Sequence, residues 1–185
     1  MKGIVFVTGN KAKVLETGEI LKTKLQIADI ELDEIQELDE EKIAYHKLEQ
    51  AYSKIKKPVI IDDVSLHIDA WDGFPGPFIK WILKAGNGPS LLLKMLEHES
   101  NRKATAKLIV GYFDGKKKHL FKGEMKGKIA REIKGDNGFG WDKVFIPNGY
   151  NENFAEMKRS EKNKVSHRKQ ALDKLSDFIS KAQGI

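Results

Sequence analysis

The sequence predicts an α/β domain with a mixed β-sheet. Within the first 61 residues, strand-like segments at 4–7, 25–32 and 58–61 are separated by two stretches with apolar residues at helical spacing, which is typical of a β-α-β-α-β order. Residues 104–112 instead alternate apolar and polar side chains, and an Asp114-Gly115 turn leads to further strand-like runs at 120–121 and 124–131, which is typical of antiparallel strands. The length of 185 residues suits one domain, covering 1–185, with a sizeable core.

The first strand and helix enclose a candidate anion site. The apolar run from Ile4 to Val7 predicts a buried strand, which ends at a Thr8-Gly9-Asn10 turn. From Lys11 a helix of about four turns is predicted by the spacing of Val14, Gly18, Leu21 and Leu25. Backbone N–H groups and the helix dipole, together with the side chains of Thr8, Asn10 and Lys13, would suit a phosphate. The same pattern also fits a turn that only caps the helix.

The next elements bring two neighbouring carboxylates to a strand. Residues 25–32 predict a strand, and an acidic stretch at 29–41 predicts a loop. A second helix is predicted over 39–56 by the spacing of Ala44, Leu48, Ala51 and Ile55. The run Pro58–Ile61 predicts a buried strand that ends at Asp62-Asp63, where acid–base or metal chemistry could reside. A solvated turn or helix cap is the alternative for this pair.

The second half of the chain predicts two helices, a meander and a last helix. Residues 71–78 form a turn rich in glycine and proline, and helices are expected at 78–84 and from 89. A glycine-rich loop at 134–142 presents Phe139 and Trp141, and a short strand follows at 144–146. Ser166 is placed as the N-cap of a closing helix with an apolar face formed by Ala171, Leu175, Phe178 and Ala182.

Composition and missing motifs exclude several classes of protein. The chain has no cysteine, so disulfides, thiolate catalysis and cysteine-bound metals are excluded. No apolar run reaches 18 residues and no signal peptide is recognisable, so we expect a cytoplasmic protein with no membrane partner. The phosphate loop of Walker-type enzymes, the Rossmann fingerprint and the G-x-S-x-G elbow do not occur.

Three groups of residues could carry chemistry beyond the anion site. Only one carboxylate of Asp62-Asp63 is expected to face a given site, and Glu34 in the acidic loop could supply a second carboxylate for Mg²⁺. The loop aromatics at 139 and 141 could stack on a purine or simply close the edge of a core. A basic pair, His167-Arg168, in the first turn of a helix suggests a polar or anionic partner, with surface pairing as the alternative.

Taken together, six motifs resemble the inosine triphosphate pyrophosphatase family over nearly the whole chain. In order they are Thr8-Gly9-Asn10-Lys-Ala-Lys13, Asp62-Asp63, Gly73-Phe-Pro-Gly-Pro-Phe-Ile-Lys80-Trp, Phe139-Gly140-Trp141-Asp142, Phe154-Ala-Glu-Met157 and Ser166-His167-Arg168. The resemblance implies Mg²⁺-dependent hydrolysis of ITP, dITP and XTP to the monophosphate and pyrophosphate. It also implies an elongated, two-lobed α/β fold with a long twisted mixed sheet flanked by helices, a nucleotide cleft between the lobes, and a homodimer.

The resemblance also implies a role for each matching residue. Thr8, Gly9, Asn10 and Lys13 would hold the triphosphate, helped by Lys80 and Lys162, and Lys13 would act in catalysis. Glu34 and Asp63 would hold the metal, and Asp63 would be the general base, although Asp62 also remains open. Phe139, Gly140, Trp141 and Asp142 would line the nucleoside pocket, and Ser166, His167 and Arg168 would read the 6-oxo purine.

Two positions depart from the family pattern. Val64 replaces the serine that follows the second aspartate in bacterial members, so a role for a hydroxyl there is in doubt. His46 and Lys47 compete for the place of a family lysine in the second helix.

Two rival functions are kept. The net charge of +6, from 33 basic and 27 acidic residues, would also suit a nucleic-acid-binding module, whose affinity would fall steeply with salt. The second rival function is that of a related pyrophosphatase that acts on methylated or pyrimidine nucleotides. The motifs at 139–142 and 166–168 argue against this rival.

Overall fold

The computed structural model describes residues 3–182, and its elements alternate as the sequence predicts. In order they are β1 Val5–Val7, α1 Lys11–Leu21, β2 Gln26–Ala28, α2 Glu40–Ile55, β3 Val59–Ile68, β4 Pro75–Gly76, α3 Ile79–Ala85, α4 Ser90–Met95, β5 Lys103–Phe113, β6 Lys118–Ile129, β7 Phe145–Pro147, α5 Arg159–Val165 and α6 His167–Ala182. No helix within the described range is long and apolar enough to cross a membrane.

The strands form one mixed sheet of seven, which confirms the predicted fold class. The order is β2-β1-β3-β5-β6-β7, with β4 paired to β3 outside this path. β1 pairs in parallel with β2 and with β3, whereas β4 is antiparallel to β3 and β7 is antiparallel to β6. The short turn at Asp114-Gly115 joins the neighbouring strands β5 and β6, as predicted.

The chain divides into two compact units. The first unit contains the described residues up to Asp63, residues 108–123, and α6. Its core joins β1, α2, β3 and β5, and Ala44, Leu48 and Ala51 of α2 are fully buried there, which confirms the predicted apolar face of that helix.

The second unit contains residues 64–107 and 124–166. Its core is built from β3, α3, α4 and the segment 141–157, with Leu66, Leu92, Leu96, Phe145 and Phe154 fully buried.

Two predictions about the first half of the chain are wrong. Helix α1 ends at Leu21 rather than near Leu25, because Lys22 adopts the left-handed conformation and the N–H of Thr23 donates to the carbonyl of Gly18. β3 does not end at Asp62-Asp63 but continues to Ile68, so both carboxylates project from the middle of a strand. The cations bound to them allow charged residues inside the sheet.

Smaller differences concern three other segments. β2 is confined to residues 26–28, and β6 is one continuous strand rather than two runs. Helix α5 is not predicted from the sequence, because Arg159–Val165 has no apolar stripe and its buried residues are Lys162 and Asn163.

Candidate functional site

The turn after β1 caps helix α1 through Asn10. The side-chain oxygen of Asn10 accepts from the N–H groups of Ala12 (3.0 Å) and Lys13 (3.3 Å), and its own N–H donates to Oγ1 of Thr8 (3.2 Å). Two of the amides expected for an anion are therefore used by the cap. Among residues 3–182 the N–H of Lys11 has no acceptor, so this amide remains for a ligand at the positive end of the helix.

Gly9 lies against the side chain of Asp29 in a neighbouring loop. A Cβ on Gly9 would come within 2.5 Å of the carboxylate of Asp29, which directly follows β2. A side chain at position 9 would therefore displace either the turn or the acidic residue.

Lys13 contacts the first carboxylate of β3. Its ammonium donates to Oδ1 of Asp62 at 2.8 Å, and only 3% of the Asp62 side chain is exposed. The other oxygen of Asp62 accepts from Nη1 of Arg168. Burial alone would raise the pKa of Asp62, but the charges of Lys13 and Arg168 outweigh it and hold the pKa well below its ordinary value. Asp62 therefore stays ionised and holds both cations in place.

Arg168 is itself buried, with 2% of its side chain exposed. Its Nε donates to Oε2 of Glu16 at 2.9 Å, so the guanidinium joins α6 to α1, which packs against it. Burial would lower the pKa of Arg168, but Asp62 and Glu16 outweigh it and raise the pKa. No described residue supplies an acceptor for Nη2, so this nitrogen remains for a ligand.

Asp63 and Glu34 converge on one ammonium, that of Lys47. The Nζ atom of Lys47 lies 3.0 Å from Oδ2 of Asp63 and 3.2 Å from Oε1 of Glu34. Burial would lower the pKa of Lys47, but the two carboxylates outweigh it and raise the pKa. Burial raises the pKa of Asp63 above its ordinary value, against the opposing charges of Lys47 and Lys13. Of the two candidates for the family lysine, Lys47 is the one that contacts both predicted metal ligands.

The pleat of β3 explains why neighbouring carboxylates have different partners. Successive side chains of a strand point to opposite faces, so Asp62 meets Lys13 and Arg168 while Asp63 meets Lys47. The side chain of Asp63 is 22% exposed, compared with 3% for Asp62. Asp63 is therefore the more accessible of the two carboxylates.

The charges of this cluster bear on whether it could hold a cation. Four hydrogen-bonded carboxylates, those of Glu16, Glu34, Asp62 and Asp63, face three basic side chains. A triphosphate would meet excess negative charge here unless a further cation were bound. No group of three or more His, Cys, Asp or Glu in the described range could hold a metal alone. Two convergent carboxylates nevertheless fit Mg²⁺, which is commonly held by one or two carboxylates and by substrate phosphates.

A second cluster lies in the second unit, around Asp142. Oδ2 of Asp142 accepts from the N–H of Phe139 (2.8 Å) and from Nζ of Lys162 (2.6 Å), and both charged side chains are 5% exposed. The ammonium of Lys162 also lies 4.9 Å from the centre of the Phe139 ring. Gly140 has φ of +62°, a conformation that favours glycine. The loop is thus fixed with the Phe139 ring beside a buried cation.

The remaining predicted residues lie in different surroundings. Trp141 is 6% exposed and packs edge-on against Phe145, so its ring supports the core from the loop. Lys80 is exposed on α3, with its ammonium 5.6 Å from the ring centre of Trp81. Ser166 and His167 are both buried where α5 meets α6.

Sequence reasoning missed two residues that position this site. Glu16 holds Arg168, and its spacing of three residues from Lys13 on α1 was the available signal. Gly123 lies against the first turn of α6, where a Cβ would overlap the carbonyl of His167 and come within 2.8 Å of the amide of Ala171. Nothing local in the sequence indicates that contact.

Comparison with known proteins finds similar sequences and similar folds over nearly the whole chain. The model of the Ham1 family matches residues 4–178. A dITP/XTP pyrophosphatase of Methanosarcina acetivorans is 42% identical over 98% of this chain and 100% of its own length. An inosine triphosphate pyrophosphatase of Schizosaccharomyces pombe is 38% identical over 97% of this chain and 96% of its own length. The structure of a HAM1 protein from Coxiella burnetii superposes with a TM-score of 0.82 at 28% identity, covering 98% and 100% of the two chains.

Proposed function

The chain belongs to the Ham1 family, and we propose that it hydrolyses the deaminated purine nucleotides ITP, dITP and XTP to the monophosphate and pyrophosphate. The names of the curated relatives support this substrate class. The observation that carries the proposal is the convergence of Glu34 and Asp63 on the Lys47 ammonium, beside Asp62 and its partner Lys13. Acidic and basic groups in this arrangement suit the hydrolysis of a phosphoanhydride.

The phosphates would be bound by the turn after β1 and by the lysines. The N–H of Lys11 and the hydroxyl of Thr8 lie at the N-terminus of α1, where the dipole favours an anion. Asp62 would keep the ammonium of Lys13 in one position. Positioning and charge neutralisation are then the main contributions of these residues.

Asp63 would act as the general base for water. One of its oxygens, Oδ2, bonds Lys47, whereas Oδ1 has no partner among the described residues. Oδ1 would take the proton as the water oxygen attacks the α-phosphorus, the bond from that phosphorus to the bridging oxygen breaks, and pyrophosphate leaves. Both oxygens of Asp62 hold cations, which makes Asp62 the poorer base.

Mg²⁺ would be held by Glu34 and Asp63. A bound Mg²⁺ would neutralise charge on the phosphate oxygens and so favour attack and departure of the leaving group. The convergence of the Glu34 and Asp63 carboxylates on one point supports this part of the proposal.

The purine would be recognised by hydrogen-bond donors. Nη2 of Arg168 would donate to the 6-oxo group, since Nε bonds Glu16 and Nη1 bonds Asp62. Adenine presents an amino group instead, which would leave two donors facing each other, and a buried site rejects such a mismatch strongly. The Phe139 ring beside Lys162 would supply an aromatic face for the base.

The decisive experiment measures pyrophosphate release from ITP, XTP, GTP and ATP, with and without Mg²⁺. We expect rapid release from ITP and XTP with Mg²⁺, little from ATP, and about a 100-fold or greater loss in Asp63→Asn. Failure of a folded protein to release pyrophosphate from any of the four nucleotides would disprove the proposal. The predicted homodimer and the predicted cytoplasmic location belong to the same proposal. Light scattering, which measures the mass of the particle in solution, tests the homodimer.

A further inference from the structure

A pocket of about 700 Å³ lies within the second unit. Its walls come from the start of β5, the end of β6 with the residues that follow, and the loop after β7. None of the residues predicted for the nucleotide site lines it, so it requires an explanation of its own.

The pocket is strongly basic. Five basic side chains line it against two acidic ones; the basic residues are Arg102, Lys103, Lys128, Arg131 and Lys134, and the acidic ones are Glu132 and Glu156. Glu132 is already paired with Lys134 at 2.7 Å. Within residues 3–182, no carboxylate lies at ion-pair distance from Lys103, Lys128 or Arg131. Several positive charges in the pocket are therefore not neutralised.

Arg102 fixes one of these charges in the wall. Its guanidinium donates to the backbone carbonyls of Leu96 (2.7 Å), Ile129 (2.9 Å) and Ala130 (2.7 Å). Burial lowers the pKa of Arg102, and the nearby charge of Arg131 lowers it further. Arg102 and Arg131 are therefore like charges close enough to interact, and a bound anion would relieve their repulsion.

The lining indicates the chemical class of the anion. Among the described residues around the pocket there is no aromatic side chain to stack on a base. Amides are present at Asn101 and Asn151, and the apolar part is limited to Ile129, Ala130 and Ile146. A volume of 700 Å³ falls in the range of ordinary ligand sites and exceeds the needs of a single small ion.

We propose that this pocket binds a short chain of phosphate groups, such as inorganic pyrophosphate or tripolyphosphate, at a site separate from the substrate site. Arginine and lysine side chains suit phosphate oxygens, and the absence of a stacking surface favours a phosphate chain over a nucleoside. The inference goes beyond the proposed function and does not depend on it.

The test is calorimetric titration of the full chain with tripolyphosphate in EDTA. The pocket variant is Lys128→Ala with Arg131→Ala, two exposed residues, and the matched control is Lys116→Ala with Lys117→Ala in the exposed β5–β6 turn. The pocket variant should lose one equivalent of binding, or bind it at least about tenfold more weakly, whereas the control should bind as the wild type does. A charge-conserving pair, Lys128→Arg with Arg131→Lys, should retain the binding.

The deciding quantity is the difference of one equivalent of bound tripolyphosphate between the wild type and the pocket variant. The total number of equivalents bound does not matter, so the result holds whether or not the substrate site also binds tripolyphosphate. Unchanged binding in the pocket variant, or equal weakening in the control, would overturn the proposal. A single-stranded oligonucleotide that displaces tripolyphosphate at lower concentration than pyrophosphate does would identify a nucleic-acid surface instead. A change of mass in light scattering of the pocket variant would identify an interface between copies. The pocket variant counts as folded when its far-UV circular dichroism spectrum and its midpoint of urea unfolding match those of the wild type, and loss of binding by a variant that meets this criterion supports the proposal.

Discussion

Replacing Glu16 by glutamine tests whether its ion pair with Arg168 stabilises the packing of α1 on α6. The substitution keeps the size of the side chain and one oxygen that can accept from Nε of Arg168, but it removes the charge. Arg168 keeps Asp62 as its second partner. The perturbation therefore removes the charge of a buried side chain that bonds Arg168 and leaves its shape unchanged.

The size of the effect follows from burial. The side chains of Glu16 and Arg168 are 5% and 2% exposed, so water replaces the lost interaction poorly. We expect the free energy of unfolding to fall by about 1–2 kcal/mol for Glu16→Gln, because the bond from Nε of Arg168 then has a neutral acceptor in place of a carboxylate. Arg168→Met should cost about 3–5 kcal/mol, because it leaves buried carboxylates without their cation.

Urea unfolding of the two single variants and the double variant measures the coupling directly. The double variant should be more stable than the sum of the single losses implies, with a coupling energy of about 0.5–3 kcal/mol. Asp173→Asn is the matched control on the same helix, because it removes a more exposed ion pair with Lys169 and should cost about 0.5 kcal/mol or less. A loss for Glu16→Gln as small as that of the control, with no coupling to Arg168, would refute the reasoning.

Three further predictions concern the second-helix lysine, a close backbone contact and the metal. Lys47→Met should slow ITP hydrolysis about 100-fold, because two carboxylates lose the cation between them, whereas His46→Ala should keep a rate near that of the wild type. Gly123→Ala should lower the free energy of unfolding in urea by about 1–3 kcal/mol, because its Cβ would overlap the first turn of α6. Gly18→Ala should be neutral or stabilising by up to about 1 kcal/mol, since its Cβ would lie 3.4 Å from the nearest atom. EDTA should abolish pyrophosphate release and added Mg²⁺ should restore it, and release at an undiminished rate in EDTA would contradict the metal role.

The helix predictions succeeded where burial is apolar and local. Ala44, Leu48 and Ala51 recur at the helical period, and all three are fully buried. The apolar spacing that predicts α1 does not mark its buried face, because the buried residues of this helix are Glu16 and Thr17, which are polar. Periodicity therefore placed the start of α1 correctly but not its end, since hydrophobic spacing carries no information about a polar buried face.

Helix α5 is a second helix whose buried residues are polar and which hydrophobic spacing therefore does not predict. Arg159–Val165 has no apolar stripe, and the residues that it buries are Lys162 and Asn163. Lys162 is buried because Asp142, twenty residues earlier, neutralises it. An ion pair between distant positions leaves no local pattern, so neither the helix nor the pairing could be predicted from residues 159–165 alone.

The neighbouring residues Asp62 and Asp63 on β3 show which features of a site a sequence pattern predicts and which it does not. The alternation of a strand predicts that Asp62 and Asp63 face different surroundings, and the structure confirms it. Which carboxylate is held by cations on both oxygens depends on Lys13 and Arg168, and Arg168 lies 106 residues away in the chain. Asp62 is buried, and its two oxygens accept from Lys13 and Arg168. Asp63 keeps an unengaged oxygen and a partly exposed side chain, so the pleat of one strand separates a positioning carboxylate from one that can reach water.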